Sequence, residues 1–366
     1  MLSLIDFIIW HPSPEVVSGW NIPRWYGVLF AAGFLISQQL LFYIFKKEGK
    51  PPKDVETLTV YIVIATIIGA RLGHVLFYDP VQYFKNPLEI LMIWHGGLAS
   101  HGATIGILTA IYLYAKKKKD QSFLWVVDRI VIAVAITGCL IRFGNFMNSE
   151  ILGKPTSSNF GVVFARELEE SLLKHEAIDE VDIHKGETRV ATDAGKVPIS
   201  VDIKFRRTNY SEQEIKALVE SDIKQILINE SSRDEPKIFE KAGEPINYEL
   251  KQRNGRYTAN VQSLGIPRHA AQLYESIYCI LLFIFLFLLW NKRKEKTPEG
   301  LIFGLFLVIL FGLRFVDEFF KENQEAFEDD IPLNMGQWLS IPLVIIGIYV
   351  LTRTFNKKQV QGNQKS

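Results

Sequence analysis

Long apolar runs dominate the chain, and mostly short polar connections separate them. A hydrocarbon layer about 30 Å thick is crossed by a helix of about 20 residues. Seven stretches are candidates for such helices, at residues 26–45, 58–77, 97–115, 123–143, 272–290, 301–320 and 337–351. A shorter apolar stretch at residues 87–94 is expected at the membrane interface. The pattern predicts an all-α polytopic membrane protein with seven transmembrane helices.

One long hydrophilic segment, residues 154–265, interrupts this pattern. "VPISVDIKFR" alternates as a half-buried strand does, and "NFGVVF" fits a second strand. In "SEQEIKALVESDIKQILIN" apolar residues recur at helical spacing after Ser211, and Glu214 completes a capping-box pattern. We predict three parts: helices one to four in residues 1–153, a small α+β insert in 154–265, and helices five to seven with a tail in 266–366. The insert fits a lid or a partner-docking surface, and it fits a lineage-specific addition equally well.

The charges of the connections predict an orientation. The formal net charge is +1, from 41 basic and 40 acidic residues, so the composition shows no bias toward nucleic acid. Basic clusters follow the first, third and fifth predicted helices, and a further cluster lies in the C-terminal tail. Because basic loops remain in the cytoplasm, we expect the C-terminus inside and the N-terminus and the insert outside. The N-terminus lacks the basic region and cleavage site of a signal peptide.

The sequence predicts neither a metal nor another cofactor. Its two cysteines lie in apolar runs, which disfavours a disulfide framework or a thiolate cluster. The spacings of His74, His95 and His269 match no common metal motif.

Polar side chains cluster at the outer ends of the predicted helices. An arginine at a helix centre costs about 2.5–3.5 kcal/mol on insertion scales, so such a residue is a functional candidate. Arg142 and Asn145 share a helix face, and Arg314 and Glu318 are four residues apart and can pair. Arg142 could instead extend to the interface, the Arg314–Glu318 pair could be structural, and His101 could be a hydrogen-bonded structural residue. Since the clusters lie on one side, the pattern favours a site open to the outer leaflet over a path across the membrane.

Several of these clusters occur as longer motifs: "RWYG", "GARLGHVLFY", "HGGLASHGA", "IRFGNFMNSEILGKP", "PRHAAQLYE", "LRFVDEFF" and "MGQWLSIP". In these motifs the chain resembles the prolipoprotein diacylglyceryl transferases, a family of bacterial inner-membrane enzymes. The resemblance covers nearly all seven predicted helices and is expected to fail over the insert. It implies transfer of diacylglycerol from phosphatidylglycerol to the lipobox cysteine of a prolipoprotein, which forms a thioether and releases glycerol phosphate. The family's functional residues would correspond to Tyr26, His101, Arg142, Asn145, Glu150, Gly153, Arg314 and Glu318.

These residues suggest roles in that reaction. His101 is the candidate base for the thiol, and Arg142 and Arg314 suit a phosphate because the guanidinium fork matches its oxygens. Asn145 and Glu150 could bind headgroup hydroxyls, Glu318 could hold Arg314, and Tyr26 could line the pocket. Two other functions remain open on the residues alone: a secondary transporter of an anionic solute and a non-catalytic lipid-binding scaffold. The transporter would have repeat-related halves, which the sequence does not show.

Overall fold

The structure, a computed structural model, describes residues 7–17, 20, 22–92, 96–187, 195–206, 210–233, 235–323, 328 and 331–363. It is mostly helical with a small β-sheet portion. The helices are α1 (Trp25–Lys47), α2 (Pro52–Phe77), α3 (Pro80–Lys85), α4 (Ser100–Lys117), α5 (Phe123–Met147), α6 (Arg166–Leu173), α7 (Glu212–Leu218), α8 (Lys224–Ser231), α9 (Ala271–Arg293), α10 (Leu301–Asp317) and α11 (Met335–Asn363). The strands are β1 (Phe7–Trp10), β2 (Gly161–Phe164), β3 (Ile178–Lys185), β4 (Val197–Phe205), β5 (Ile238–Phe239), β6 (Asn247–Arg253) and β7 (Arg256–Gly265).

Five helices of the described chain are long and apolar enough to cross a membrane. They are Trp25–Lys47, Pro52–Phe77, Phe123–Met147, Ala271–Lys296 and Met335–Asn356. The two remaining predicted spans correspond to α4 and α10, which are shorter, at 18 and 17 residues. The chain is therefore a multi-pass membrane protein, and the total of seven spans stays a prediction. The stretch at 87–94 forms a 3-10 helix at Pro87–Leu91, and residues 93–95 lie outside the described part.

The chain folds into two compact units. We call the first the mixed unit; it contains Met1–Leu29, Arg142–Glu275 and Val316–Asn334. The second, the helical unit, contains Phe30–Ile141, Ser276–Phe315 and Met335–Ser366. Each unit is built from segments that are distant in sequence, so residues far apart along the chain meet inside it.

The mixed unit contains a five-stranded sheet in which β3, β4, β7 and β5 are neighbours in that order and β6 also pairs with β7. Its pairings are antiparallel. The predicted strands are confirmed as β4 and β2, and the predicted helix as α7 and α8, joined by a single π turn. The capping box is present: Ser211 Oγ accepts from Glu214 N, and Glu214 Oε2 accepts from Ser211 N.

A second small sheet ties the N-terminus to the predicted insert, a pairing that the sequence pattern did not indicate. Strand β1 runs parallel to β2, from Phe7 opposite Gly161 to Trp10 opposite Phe164. Trp10 stacks on Phe146 of α5 with ring centroids 4.3 Å apart, and its Nε1 donates to the Phe146 carbonyl at 3.0 Å. The N-terminal strand therefore packs against the last turn of α5.

Inside the helical unit, α2 and α4 approach closely through glycines. A Cβ atom on Gly73 would lie 2.7 Å from the Cα of Gly102, and one on Gly106 would lie 3.2 Å from the Cα of Gly69. Each helix thus presents two glycines four residues apart, a spacing that lets backbones pack against each other in lipid. This contact fixes the start of α4, where His101 lies.

The helical unit also buries a complete ion pair. Arg129 of α5 and Glu48 are both fully buried side chains, and two guanidinium nitrogens reach the carboxylate at 2.9–3.2 Å. Arg129 also donates to the Trp125 carbonyl, and Trp290 Nε1 donates to Glu48. Both charged groups have several partners. The pair therefore stabilises the packing of the helices that carry it.

Candidate active site

Arg142 lies in the last turns of α5, in the mixed unit. Its Nε forms an ion pair with the carboxylate of Glu275, which is buried near the start of α9. Its Nη1 approaches Asn145 Oδ1 at 3.5 Å, which confirms that the two side chains share a helix face. The Arg142 side chain is 22% exposed. The guanidinium is thus oriented by protein contacts, and the side chain is partly exposed.

The turn after α5 presents Glu150 between two amides. Asn145 Nδ2 donates to Glu150 Oε2 at 3.2 Å, and Asn148 Nδ2 donates to Oε1 at 3.1 Å. On either side of Glu150, Ser149 and Ile151 have φ angles of 53° and 57°. Left-handed backbone at a β-branched residue is a true outlier and costs of order 1–3 kcal/mol. Strain of this kind clusters at functional sites, so the turn is a candidate for ligand contact.

Three buried oxygens around this turn have no hydrogen-bond partner among the described residues: Asn148 Oδ1, Ser149 Oγ and Gln272 Oε1. The amide nitrogen of Gln272 donates to the Glu150 carbonyl, which fixes the amide so that its oxygen is the remaining acceptor. Buried polar atoms are nearly always hydrogen-bonded, and those that are not call for an explanation. These three oxygens are therefore candidate acceptors for the hydroxyls of a ligand at this turn.

Gly153 joins three segments of the mixed unit. Its N–H donates to the His269 carbonyl at 3.1 Å, and the next N–H, of Lys154, donates to the Phe320 carbonyl at 2.8 Å. A Cβ atom at position 153 would lie 2.6 Å from His269 Cβ and 2.8 Å from the Phe320 oxygen. Only glycine fits this approach, so Gly153 shapes the site through its backbone.

Tyr26 packs against the same end of α5. A Cβ atom on Gly144 would lie 3.1 Å from Tyr26 Cδ2 and 3.2 Å from its Cα. The missing side chain of Gly144 allows this close approach, and the first turn of α1 occupies the space. Tyr26 is half-buried there.

Sequence reasoning missed Lys321, the cation at the centre of a buried carboxylate cluster. Lys321 is 2% exposed. Its Nζ contacts Glu275 Oε1, Glu318 Oε1 at 2.9 Å and Asp317 Oδ2 at 3.4 Å. The only sequence signal was its spacing three and four residues after two acidic residues. Glu318 also accepts from Asn334 Nδ2 at 3.2 Å, and its predicted pairing with Arg314 stays a prediction.

Two predicted site residues, His101 and Arg314, belong to the helical unit, and the other six belong to the mixed unit. His101 is exposed in the first turn of α4, against Phe77 and Tyr78 at ring-centroid distances of 5.0 and 6.0 Å. Arg314 lies in the last turn of α10. The structure therefore brings together Arg142, Asn145 and Glu150, with Gly153 and Tyr26 supporting them.

The loop before His101 is held by Arg71, the arginine of the "GARLGHVLFY" motif. Arg71 is buried and donates to backbone carbonyls, including those of Ile90 at 2.9 Å and Gly96 at 2.6 Å. Its guanidinium also lies 4.8 Å from the ring centre of Tyr83. These contacts fix the described part of the loop that leads into α4.

One group of described residues could hold a metal ion. Asp182, His184 and Asp202 lie on β3 and β4, and one ligand atom from each falls within 4.8 Å of the others. Asp182 and His184 are exposed and Asp202 is half-buried. They lie on the sheet of the insert and share no contact with the Arg142 cluster. His95 lies outside the described residues.

Comparison with known proteins identifies the family. A model of the prolipoprotein diacylglyceryl transferase family matches residues 17–353. The phosphatidylglycerol–prolipoprotein diacylglyceryl transferase of Tolumonas auensis is 33% identical over 96% of this chain and 99% of its own length. Those of Chloroherpeton thalassium and Bacteroides fragilis are 34% and 32% identical, over 97% and 99% of this chain and 97% and 100% of their own lengths. The chain belongs to the prolipoprotein diacylglyceryl transferase family.

The match runs through residues 154–265 as well as the helices. The expectation that the resemblance fails over the insert was wrong. Short motifs define the helices of this family clearly, whereas the insert has only strand and helix patterns, which are common to many proteins.

Proposed function

We propose that the protein transfers the diacylglyceryl group of phosphatidylglycerol to a prolipoprotein, the reaction for which its relatives are named. This reaction is the first step of lipoprotein maturation. The observation that carries the proposal beyond family membership is the setting of Arg142. Its guanidinium is oriented by Glu275 and remains partly exposed beside the strained turn of Glu150.

We place the reaction at the bacterial inner membrane. The proposal includes seven spans, with α4 and α10 as the two shorter ones, an external N-terminus and a cytoplasmic C-terminus. The basic connections support this orientation. The substrates are then a phospholipid of the same membrane and the lipobox segment of a prolipoprotein.

The chemistry is a displacement at the glyceryl carbon. The cysteine sulfur forms a bond to this carbon, the carbon–oxygen bond to phosphate breaks, and glycerol phosphate leaves with the electron pair. A free thiol has a pKa of about 8.5, so a base that takes its proton speeds the attack. His101 is the proposed base, since an imidazole is the side chain best suited to take a proton near neutral pH.

Arg142 is proposed to bind the departing phosphate. Negative charge grows on that group in the transition state, and fixed cations aimed at it lower the barrier. A guanidinium has five N–H donors in a planar fork, which suits two phosphate oxygens at once. Arg314 is proposed as a second phosphate ligand, with Glu318 holding it.

The turn of Glu150 is proposed to bind the glycerol headgroup. This headgroup carries two hydroxyls, and the turn offers a carboxylate held by two amides together with the oxygens of Asn148, Ser149 and Gln272. A phospholipid whose headgroup lacks these hydroxyls would not form these hydrogen bonds, so the site would favour phosphatidylglycerol. Tyr26 is proposed to line the pocket.

The test is reconstitution. Purified protein is mixed with phosphatidylglycerol vesicles and a peptide containing a lipobox cysteine, and the products are analysed by mass spectrometry. We expect a peptide carrying diacylglycerol through a thioether, and no product when the cysteine is replaced by serine. Absence of the product with folded protein would contradict the proposal. The family assignment does not favour either alternative function, the anionic-solute transporter or the non-catalytic scaffold, and neither predicts a thioether.

A further inference from the structure

Two cations share one buried carboxylate in the mixed unit. Arg142 Nε contacts Glu275 Oε2, and Lys321 Nζ contacts Glu275 Oε1. Glu275 is buried, and Lys321 is among the most buried charged residues of the described chain. The closest contacts of the two cations are therefore with different oxygens of the same carboxylate.

Lys321 is surrounded by acidic groups. Beyond Glu275, its Nζ lies 2.9 Å from Glu318 Oε1 and 3.4 Å from Asp317 Oδ2. Three carboxylates thus hold the ammonium, and the ammonium in turn holds Oε1 of Glu275. A carboxylate already partly neutralised by one cation attracts a second cation less strongly.

Arg129 shows what Arg142 would become without this competition. Arg129 binds both oxygens of Glu48 through two nitrogens, and its side chain is completely buried. Bidentate pairing of this kind is the preferred geometry of arginine and carboxylate. At Glu48 the other donor is the neutral indole of Trp290, whereas at Glu275 it is the ammonium of Lys321, which partly neutralises the carboxylate and so weakens the closure of Arg142 onto it.

We propose that Lys321 is a positioning residue for the headgroup-binding arginine: by occupying one oxygen of Glu275, it keeps the guanidinium of Arg142 oriented but available to a phosphate. This inference rests on the proposed role of Arg142 in binding phosphatidylglycerol. It predicts that Lys321 acts on lipid binding through Glu275 and has no direct contact with the lipid.

Kinetic analysis of four variants tests the inference. Lys321→Met should raise the KM for phosphatidylglycerol about tenfold, because Glu275 then closes onto Arg142, while the KM for the peptide stays unchanged. Lys321→Arg should remain close to wild type. The double variant Lys321→Met/Glu275→Gln should regain most of the affinity, since a neutral amide cannot neutralise Arg142. Lys251→Met, at an exposed position on β6, is the matched control.

Thermal unfolding of each variant is measured in the same preparations. An unchanged KM for the lipid in folded Lys321→Met, or an equal rise in the peptide KM, would overturn the inference. If Lys321→Met does not fold, the charge-balanced double variant decides: a lipid KM close to wild type supports the inference, and a tenfold rise overturns it. Arg142→Ala is assayed in parallel. Full activity of Arg142→Ala would refute the proposed role of Arg142, whereas loss of activity there with an unaffected Lys321→Met would refute this inference alone.

Discussion

Helix α5 carries two arginines, Arg129 in the helical unit and Arg142 in the mixed unit, and each is paired with a glutamate. Arg129 has no exposed side-chain surface, and both oxygens of its partner Glu48 bind it. Arg142 is partly exposed, and its partner Glu275 also binds Lys321. The two residues have the same charge and the same helix, but only one of them retains donors that a ligand can reach.

The difference separates a structural arginine from a ligand-binding one. A fully buried pair offers no donor that a ligand can reach, and removing one member leaves the other charge buried without a partner. When the carboxylate is shared with a second cation and the arginine is partly exposed, the arginine can bind an anion with little rearrangement of the side chains. In a membrane protein both kinds carry the same insertion cost, so the cost alone does not reveal the function.

The largest effect on stability is expected at the fully buried Arg129–Glu48 pair, which we call the closed pair; the partly exposed Arg142–Glu275 pair is the open pair. Arg129→Ala should lower the free energy of unfolding by about 3–5 kcal/mol, because Glu48 remains buried without a counter-charge. The measurement is denaturant unfolding in detergent micelles, with Arg353→Ala at an exposed position of α11 as control. A loss no greater than that of the control would show that the closed pair is not structural.

The open pair is expected to respond in activity. Arg142→Lys keeps the charge but removes the fork, so kcat/KM for phosphatidylglycerol should fall about a hundredfold. Arg166→Lys, at an arginine that pairs with Glu170 at 3.4 Å, should leave activity unchanged. Stability of the two variants should be similar. Wild-type activity of Arg142→Lys would mean that a point charge suffices.

A smaller effect is expected beside Arg142, at the turn after α5. Glu150→Gln places an amide where the Asn145 and Asn148 amides now donate, so one hydrogen bond is lost. The KM for phosphatidylglycerol should rise about tenfold, and kcat should change less. Glu249→Gln, at an exposed position on β6, serves as control. An unchanged lipid KM would remove Glu150 from headgroup binding.

The smallest effect is expected at the pair of His11 and Glu169, because histidine, unlike arginine, can lose its charge. His11 Nδ1 lies 2.9 Å from Glu169 Oε2 and its Nε2 lies 3.1 Å from the Ile183 carbonyl, so only the protonated ring can donate to both. The hydrogen bond to Glu169 is the main cause that raises the pKa of His11 above 6.5. Because the folded-state pKa is the higher one, this stabilisation is complete below about pH 6.5 and is lost as the pH rises through the raised pKa.

His11→Gln should therefore lower the unfolding temperature slightly at about pH 6 and have less effect at about pH 9. Thermal unfolding of both proteins across this range measures the difference. A constant difference at every pH would mean that His11 contributes through packing alone. Since the hydrogen bonds of His11 go to Glu169 and Ile183 and not to Arg142 or Glu150, activity should follow stability and show no separate change.

The apolar runs were sufficient to predict the helices, because membrane burial requires long uninterrupted stretches. The strands β2 and β4 and the capping box at Ser211 also followed from local patterns. The four residues of β1 could not be predicted, since a short apolar run fits a strand or a helix end equally well. Their pairing with β2 depends on residues more than a hundred positions away.

The candidate site was predicted only in part for the same reason. Arg142, Asn145 and Glu150 are close in sequence, so their spacing indicated a shared site. Glu275 and Lys321 lie 46 positions apart, and nothing local shows that they meet. Arg129 would also qualify as a functional candidate by insertion cost, and only its contact with Glu48, 81 positions away, identifies it as structural.

The central claim is that Arg142 binds the phosphate of phosphatidylglycerol. It is tested most directly by native mass spectrometry of wild type and Arg142→Ala in micelles that contain phosphatidylglycerol and diacylglycerol, which lacks the phosphate. The account predicts that wild type retains phosphatidylglycerol in preference to diacylglycerol and that folded Arg142→Ala loses most of this preference, keeping only the part that the turn of Glu150 contributes. An equal preference in both proteins would contradict the account.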